Sequence, residues 1–260
     1  MSQSATHITK FFGLTNVQRL VSGFNMEANP KPKLILCLGG AFNPVHTRHI
    51  MAMIVSKKWI ETNTDYQVVT GRLAVSTDGY VQSKTRKSGA KCMKSNHRIK
   101  LCEVACQDYS DWLAPYHRPC GSAAECGERT KIDMMKSTGV TDIHVAVIIG
   151  ADRAVNKSGF AKWHKVSKHM TICIGRKGET AEIMDKFTKD KESGNIKNDH
   201  FHFLPEELDN VSSTLVRQQL KELENSDKTK VIDKLVVDGY ITAKQGQYIL
   251  ENEQDLYFDS

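Results

Sequence analysis

With 260 residues, 40% of them hydrophobic and 25% charged, the chain has enough apolar material for one large domain or two small ones with a substantial core. Lys and Arg number 36 against 30 Asp and Glu; this net +6 suits an enzyme of small polyanions as well as a nucleic-acid binder. No stretch approaches the roughly 18 consecutive apolar residues of a membrane span, and "MSQSATHITKFFGLTNVQRL" lacks the apolar core of a secretory signal. A cytoplasmic or nuclear protein with no membrane partner is the expectation.

In chain order, residues 1–30 read as an N-terminal appendage ending near "NPKPK". "KLILCLG", Lys33 to Gly39, reads as a buried strand, and Arg48 to Glu61 as a helix with apolar Ile50, Met51, Met53, Ile54 and Trp59. "YQVVTGRLAVST" reads as a strand broken near Gly71, followed by a Lys-rich, Gly-containing loop. Ser95 and Asn96 are expected to cap an amphipathic helix, "HRIKLCEVAC", and Ala123 to Lys136 a further one. "DIHVAVIIGAD", "HMTICIGRKGE" and "HFHFL" are strands; Ser213 to Leu223, Thr229 to Asp238 and Ala243 to Asn252 are helices. Strands alternating with helices imply an α/β fold with a doubly wound, mostly parallel sheet and a helical C-terminal region. The expected organisation is an appendage over 1–30, one α/β domain over 31–225, and a helical extension of that domain over 226–260.

Seven cysteines, an odd number with no Cys-x-x-Cys pair, read as buried small hydrophobes. His117, Cys120 and Cys126 fit no standard zinc spacing, so no metal ligands are assigned. The densest basic run, "QSKTRKSGAKCMKSNHRIK", is not interleaved with aromatics, so no nucleic-acid partner is expected.

Two motifs carry chemistry. In "GGAFNPVHTRH", glycines end a strand and let backbone approach a phosphate, while the next helix offers free amides to the same anion. His46 and His49, three apart, can share one side of the first helical turn and donate to oxygens that gain charge during transfer. Equally, the stretch reads as a glycine turn followed by two surface histidines. In "DNVSSTLVRQQL", Ser212, Ser213 and Thr214 open a helix with Arg217 close behind, a second anion cradle; by itself this reads more readily as an N-cap beside a surface arginine.

In this order the two motifs resemble the HxGH and SSTxxR signatures of the nucleotidyltransferase superfamily. "VIIGADRAVNKSGFAKW", "STDGYVQSK…SNHRIKLCE" and "ICIGRKGE", the last with Arg176 and Gly178, narrow the resemblance to nicotinamide/nicotinate mononucleotide adenylyltransferases, over Leu34 to Leu220. That resemblance implies a Rossmann-like nucleotidyltransferase fold, ATP and a small phosphorylated acceptor as ligands, Mg²⁺ with the ATP, and a homo-oligomer. It implies catalytic roles for His46, His49 and Arg217, and ATP binding by Gly39, Gly40, Ala41, Phe42, Gly150, Asp152, Ser212, Ser213 and Thr214. Asp78, Tyr80, Arg98, Trp112 and Trp163 are implied to bind the acceptor.

The chain departs from the pattern at three places. Arg48 stands where bacterial members carry glycine, and is expected to point to solvent. Arg118 and Pro119 replace the Trp-Glu pair that lines the family's nicotinamide pocket. Gln82 and Ser83 replace a double lysine, leaving Lys84, which is expected to be a solvated lysine. The second departure keeps other acceptors open, among them phosphopantetheine and sugar or alcohol phosphates, along with nucleotide binding without turnover.

Overall fold

The computed structural model describes residues 31–86, 88–177, 180–208, 213–221 and 227–258. The expected appendage over 1–30, together with Gly178 and Ser212, lies outside the described residues. Six strands form one sheet: β1 (Lys33–Gly40), β2 (Gln67–Val75), β3 (Leu113–Pro115), β4 (Ile143–Gly150), β5 (Met170–Arg176) and β6 (Phe201–Leu208). Their order is β3-β2-β1-β4-β5-β6, and every neighbouring pair is parallel. This is the doubly wound order, with its reversal between β1 and β4.

Helices cover both faces. They are α1 (Thr47–Asn63), α2 (Asp78–Arg86), α3 (Ser95–Ala105), α4 (Ala123–Thr138), α5 (Ala181–Glu192), α6 (Ser213–Lys221), α7 (Lys228–Val237) and α8 (Ala243–Glu251). The continuous apolar run of β1 follows from this burial on two sides. Leu34, Leu36 and Leu38 pack in one core with Met53, Leu101, Val216 and Leu235, while Ile35 and Cys37 pack in another with Cys126 and Met134 of α4. A third cluster, beneath β5 and β6, is centred on Trp163. Each fully buried aliphatic side chain in these layers contributes about 1.5–3 kcal/mol relative to exposure. Among the described residues, no helix is long and apolar enough to cross a membrane.

Four sequence expectations need correction. β2 runs unbroken through Gly71, whose role is contact: a Cβ there would lie 2.7 Å from Trp112 and 2.9 Å from both Leu113 and Met53. The Lys-rich stretch after β2 is partly helix, α2, which buries only Val81 and Thr85. β3 and α5 are additional elements. Lys94, not Ser95 or Asn96, occupies the N-cap of α3, and the Ser95 hydroxyl instead donates to Asp78 at 2.8 Å.

Candidate active site

The carboxyl ends of β1, β4, β5 and β6 open into a cleft of about 380 Å³ at the point where the strand order reverses. In open α/β sheets that crevice is where ligands bind, and the volume lies in the usual range for small-molecule sites. Leu38 to Phe42 line it from the end of β1, Ile148 to Gly150 from β4, Ile174 and Gly175 from β5, and Leu208 from β6. α1 contributes Arg48, His49 and Ala52 with His46 at its start, and α6 contributes Ser213, Thr214 and Arg217. The two sequence motifs therefore meet in one place.

His46 is the N-cap of α1, in extended backbone and only 4% exposed. Its N–H donates to His49 Nδ1 at 3.2 Å, and its carbonyl accepts from the His49 N–H at 2.9 Å. With Nδ1 accepting from that N–H, neutral His49 carries its proton on Nε2. The two imidazoles lie 3.7 Å apart, centroid to centroid, and Phe42 meets His49 edge-on at 4.8 Å.

The turn between β1 and α1 is held from several sides. Phe42 adopts φ 44°, a left-handed conformation unusual for a bulky residue and of a kind that costs about 1–3 kcal/mol. Gly40 makes room for it, since a Cβ there would lie 2.9 Å from the Phe42 ring. Around this residue, successive carbonyls are fixed by side chains from distant elements. Arg98 of α3 donates to Ala41 at 2.8 Å, and Arg217 of α6 donates to Asn43 at 3.0 Å. Ser213 donates to Pro44 at 3.1 Å, and Gln245 of α8 to Val45 at 3.2 Å. The buried Asn43 side chain adds a donor to the Lys91 carbonyl and accepts from the Met93 N–H. Such a net over-determines the turn, as strained functional loops require.

Arg217 is half-buried, and burial lowers its pKa from the ordinary arginine value. Its Nη2 donates to Thr214 Oγ1 at 2.9 Å, which holds the guanidinium over the start of α6. Arg48, Lys84, Arg153 and Lys162 join it around the cleft, against Asp152 as the one carboxylate among the described lining residues. A concave wall of one sign concentrates anions. Arg48, expected in solvent, is half-buried and lines the cleft; Lys84, expected to be solvated, is exposed at the cleft rim. Arg153 and Lys162 carried no sequence expectation, although Arg153 directly follows the Gly150-Ala151-Asp152 strand end.

The implied acceptor residues do not gather there. Trp163 is fully buried, donates through Nε1 to Asp190 at 2.7 Å and packs edge-on against Phe187 and Phe201, so no ring face is left for a ligand. Trp112 is 8% exposed, wedged over Gly71 with its indole in the main core. Arg98 is wholly buried and binds protein: besides Ala41 it donates to the carbonyls of Met93 and Ser76 and to Asp78 Oδ1 at 2.7 Å. Asp78 is thereby the counter-charge of Arg98, and Tyr80, 51% exposed, stands outside the lining. The reason is common to all: residue type is visible in a sequence, but burial and partner are not. Arg118 is exposed beyond β3, its guanidinium 5.9 Å from the Tyr116 ring.

No protein-family model matches the chain. Among curated proteins, the nicotinamide/nicotinic acid mononucleotide adenylyltransferase of Schizosaccharomyces pombe is 29% identical over 83 residues, 32% of this chain and 21% of that protein. Adenylyltransferase 1 of the same description from Saccharomyces cerevisiae is 28% identical over 88 residues, 34% of this chain and 20% of that protein. The matched stretch thus spans about a fifth of these relatives' length. Among solved structures, Plasmodium falciparum nicotinic acid mononucleotide adenylyltransferase complexed with NaAD matches with a TM-score of 0.52 at 15% identity, covering 87% of this chain and 100% of that one. That likeness shows a shared Rossmann-like fold. Over about a third of its length the chain is thus similar in sequence to nicotinamide/nicotinic acid mononucleotide adenylyltransferases, and it shares the fold of a solved one.

Proposed function

We propose that this protein transfers the adenylyl group of ATP to nicotinamide or nicotinic acid mononucleotide, forming the dinucleotide and pyrophosphate. The observation that carries the reading is the convergence of both anion-binding motifs on one cationic cleft at the strand ends. In the reaction, an oxygen of the acceptor phosphate attacks the α-phosphorus, and the bond to the β-phosphate opens on the opposite side with its electron pair. The attacking phosphate is already an anion, so no protein base has to remove a proton. Catalysis then rests on positioning and charge stabilisation.

In this scheme the backbone from Gly39 to Phe42 cradles the nucleotide, and His46 and His49 hold phosphate oxygens. The Nε2 proton of His49 meets charge as it develops, and a preset donor of that kind gains strength toward the transition state. Ser213, Thr214 and Arg217 hold the departing pyrophosphate at the α6 N-terminus. Among the described residues no group of three or more His, Cys, Asp or Glu is placed to hold a metal ion. A magnesium ion would be carried mainly by the triphosphate and water and would draw charge from the phosphates.

The experiment is a mass-spectrometric product assay with Mg-ATP and either mononucleotide. The matching dinucleotide with pyrophosphate is expected, and the ratio of the two rates reads the acceptor preference. A second reading, with another phosphorylated acceptor on the same nucleotide half, is favoured by one observation: none of the five implied acceptor residues lines the cleft. ATP binding without either dinucleotide would select it.

A further inference from the structure

We infer that Arg48 is a substrate-contacting residue that grips the polyphosphate of a nucleoside triphosphate beside His46 and His49, and so selects for a chain of phosphates over a single one. The inference rests on the reading of the cleft as a nucleotide site, and needs no particular acceptor.

Position is the first argument. Arg48, His49 and Ala52 all line the cleft, and on a helix these positions form one stripe. Ala52, one turn further on, leaves lateral room for a long side chain. Arg48 is half-buried, with its Nε sheltered from solvent, which differs from a solvated arginine at a helix start.

Electrostatics is the second. The first turn of α1 has no acidic residue and instead carries Arg48, at the end where the helix dipole is positive. The first turn of α6 likewise has no acidic residue, and Arg217 follows within the cleft. Two positive helix ends and two guanidiniums thus face one space, where the described lining offers only Asp152, at the end of β4, as a carboxylate. A polyanion bound in this space would be attracted by both helix ends and both guanidiniums.

Chemistry is the third. Imidazoles donate one hydrogen bond each, whereas a guanidinium presents a planar fork that spans two phosphate oxygens. A third arm so close to the histidines is matched to extended, multiply charged phosphate.

The test uses the full chain and inorganic tripolyphosphate, with orthophosphate for comparison, by isothermal titration without acceptor. R48Q is expected to weaken tripolyphosphate binding about tenfold or more while changing orthophosphate little. K58Q, an equal change of charge on the exposed part of α1, is expected to bind as the parent does. Equal affinity of R48Q and parent, or an equal fall in K58Q, overturns the inference. Should R48Q fail to fold, R48K decides: it keeps the charge but loses the fork, and severalfold weaker binding supports the role, whereas parental affinity overturns it. Turnover is not read, so failure of adenylyl transfer would show separately, in the product assay.

Discussion

Arg217 donates to the carbonyl of Asn43 at 3.0 Å, across 174 residues of chain. The start of α6 is thereby anchored to the turn that carries His46 and His49. The two sequence motifs are one built object, set by a bond between a side chain of one and the backbone of the other. Burial, which lowers the Arg217 pKa, adds a pull toward an anion in the cleft.

Replacing Arg217 with methionine removes that tie and, on the proposed function, a phosphate contact. Turnover is expected to fall at least about a hundredfold, while unfolding free energy drops only about 1 kcal/mol. Steady-state adenylyl transfer and urea denaturation read the two effects. Loss of several kcal/mol with proportionate loss of activity would make Arg217 scaffold alone.

For the histidines, His46→Ala and His49→Ala are each expected to lower turnover about a hundredfold or more. The double variant should fall well short of the product of the two, because rings only 3.7 Å apart would act as one unit on the same phosphate. Near-parental turnover in both single variants would remove them from the reaction.

Arg98→Met should leave Asp78 without its buried partner, and the carbonyls of Ala41, Ser76 and Met93 without their donor. Each buried carbonyl left unpaired costs about 1–3 kcal/mol, while Asp78, a third exposed and still bonded by Ser95, is partly rehydrated. Urea denaturation would show the cost as a lower midpoint at unchanged slope. A cost below about 1 kcal/mol would mean the network carries little.

The contrast between Arg98 and His49 shows what the sequence could reveal. The glycines, His46, His49 and the Ser-Ser-Thr-x-x-Arg run are legible as a candidate site because residue type and spacing are themselves sequence features. Arg98, Trp112 and Trp163, implied by the resemblance to bind the acceptor, are buried against protein, and nothing in a side chain's identity tells whether a core or a ligand takes it. Fold class was legible from the buried runs of β1 and β4. β3 escaped because three residues are too short for periodicity, and α5 because its "AEIMDKFTKDKE" buries no residue completely. Gly71, which the sequence suggests as a break, is a point of close packing.

Gly71→Ala tests that correction. Its new methyl would meet Trp112, Leu113 and Met53 within 2.9 Å, and overpacking of this kind costs about 1–3 kcal/mol. A thermal melt matching the parent's would indicate that the β2–β3 core gives way freely.

The pH dependence of stability should report on Asp190. Its carboxyl accepts from Trp163 Nε1 and also binds His164 Nε2, both at 2.7 Å; the Trp163 bond is the larger of the causes that hold its pKa below the usual aspartate value. A depressed carboxylate stabilises the fold above its unfolded pKa, and that contribution is lost as pH falls through the folded pKa. The window therefore lies below about pH 4. Asp190→Asn should flatten the acid limb there in a denaturation series, with little pH dependence of the difference from pH 6 to 8. An unchanged acid limb would assign it to other carboxylates.

The most direct measurement of the central claim follows two labels of ATP, one on the α-phosphate and one on the γ-phosphate, in the presence of both mononucleotides. Adenylyl transfer places the α-label in the dinucleotide and the γ-label in pyrophosphate, at equal rates, and both transfers collapse together in His49→Ala. Appearance of the γ-label on an acceptor or as orthophosphate, or an α-label that never leaves ATP, would contradict it.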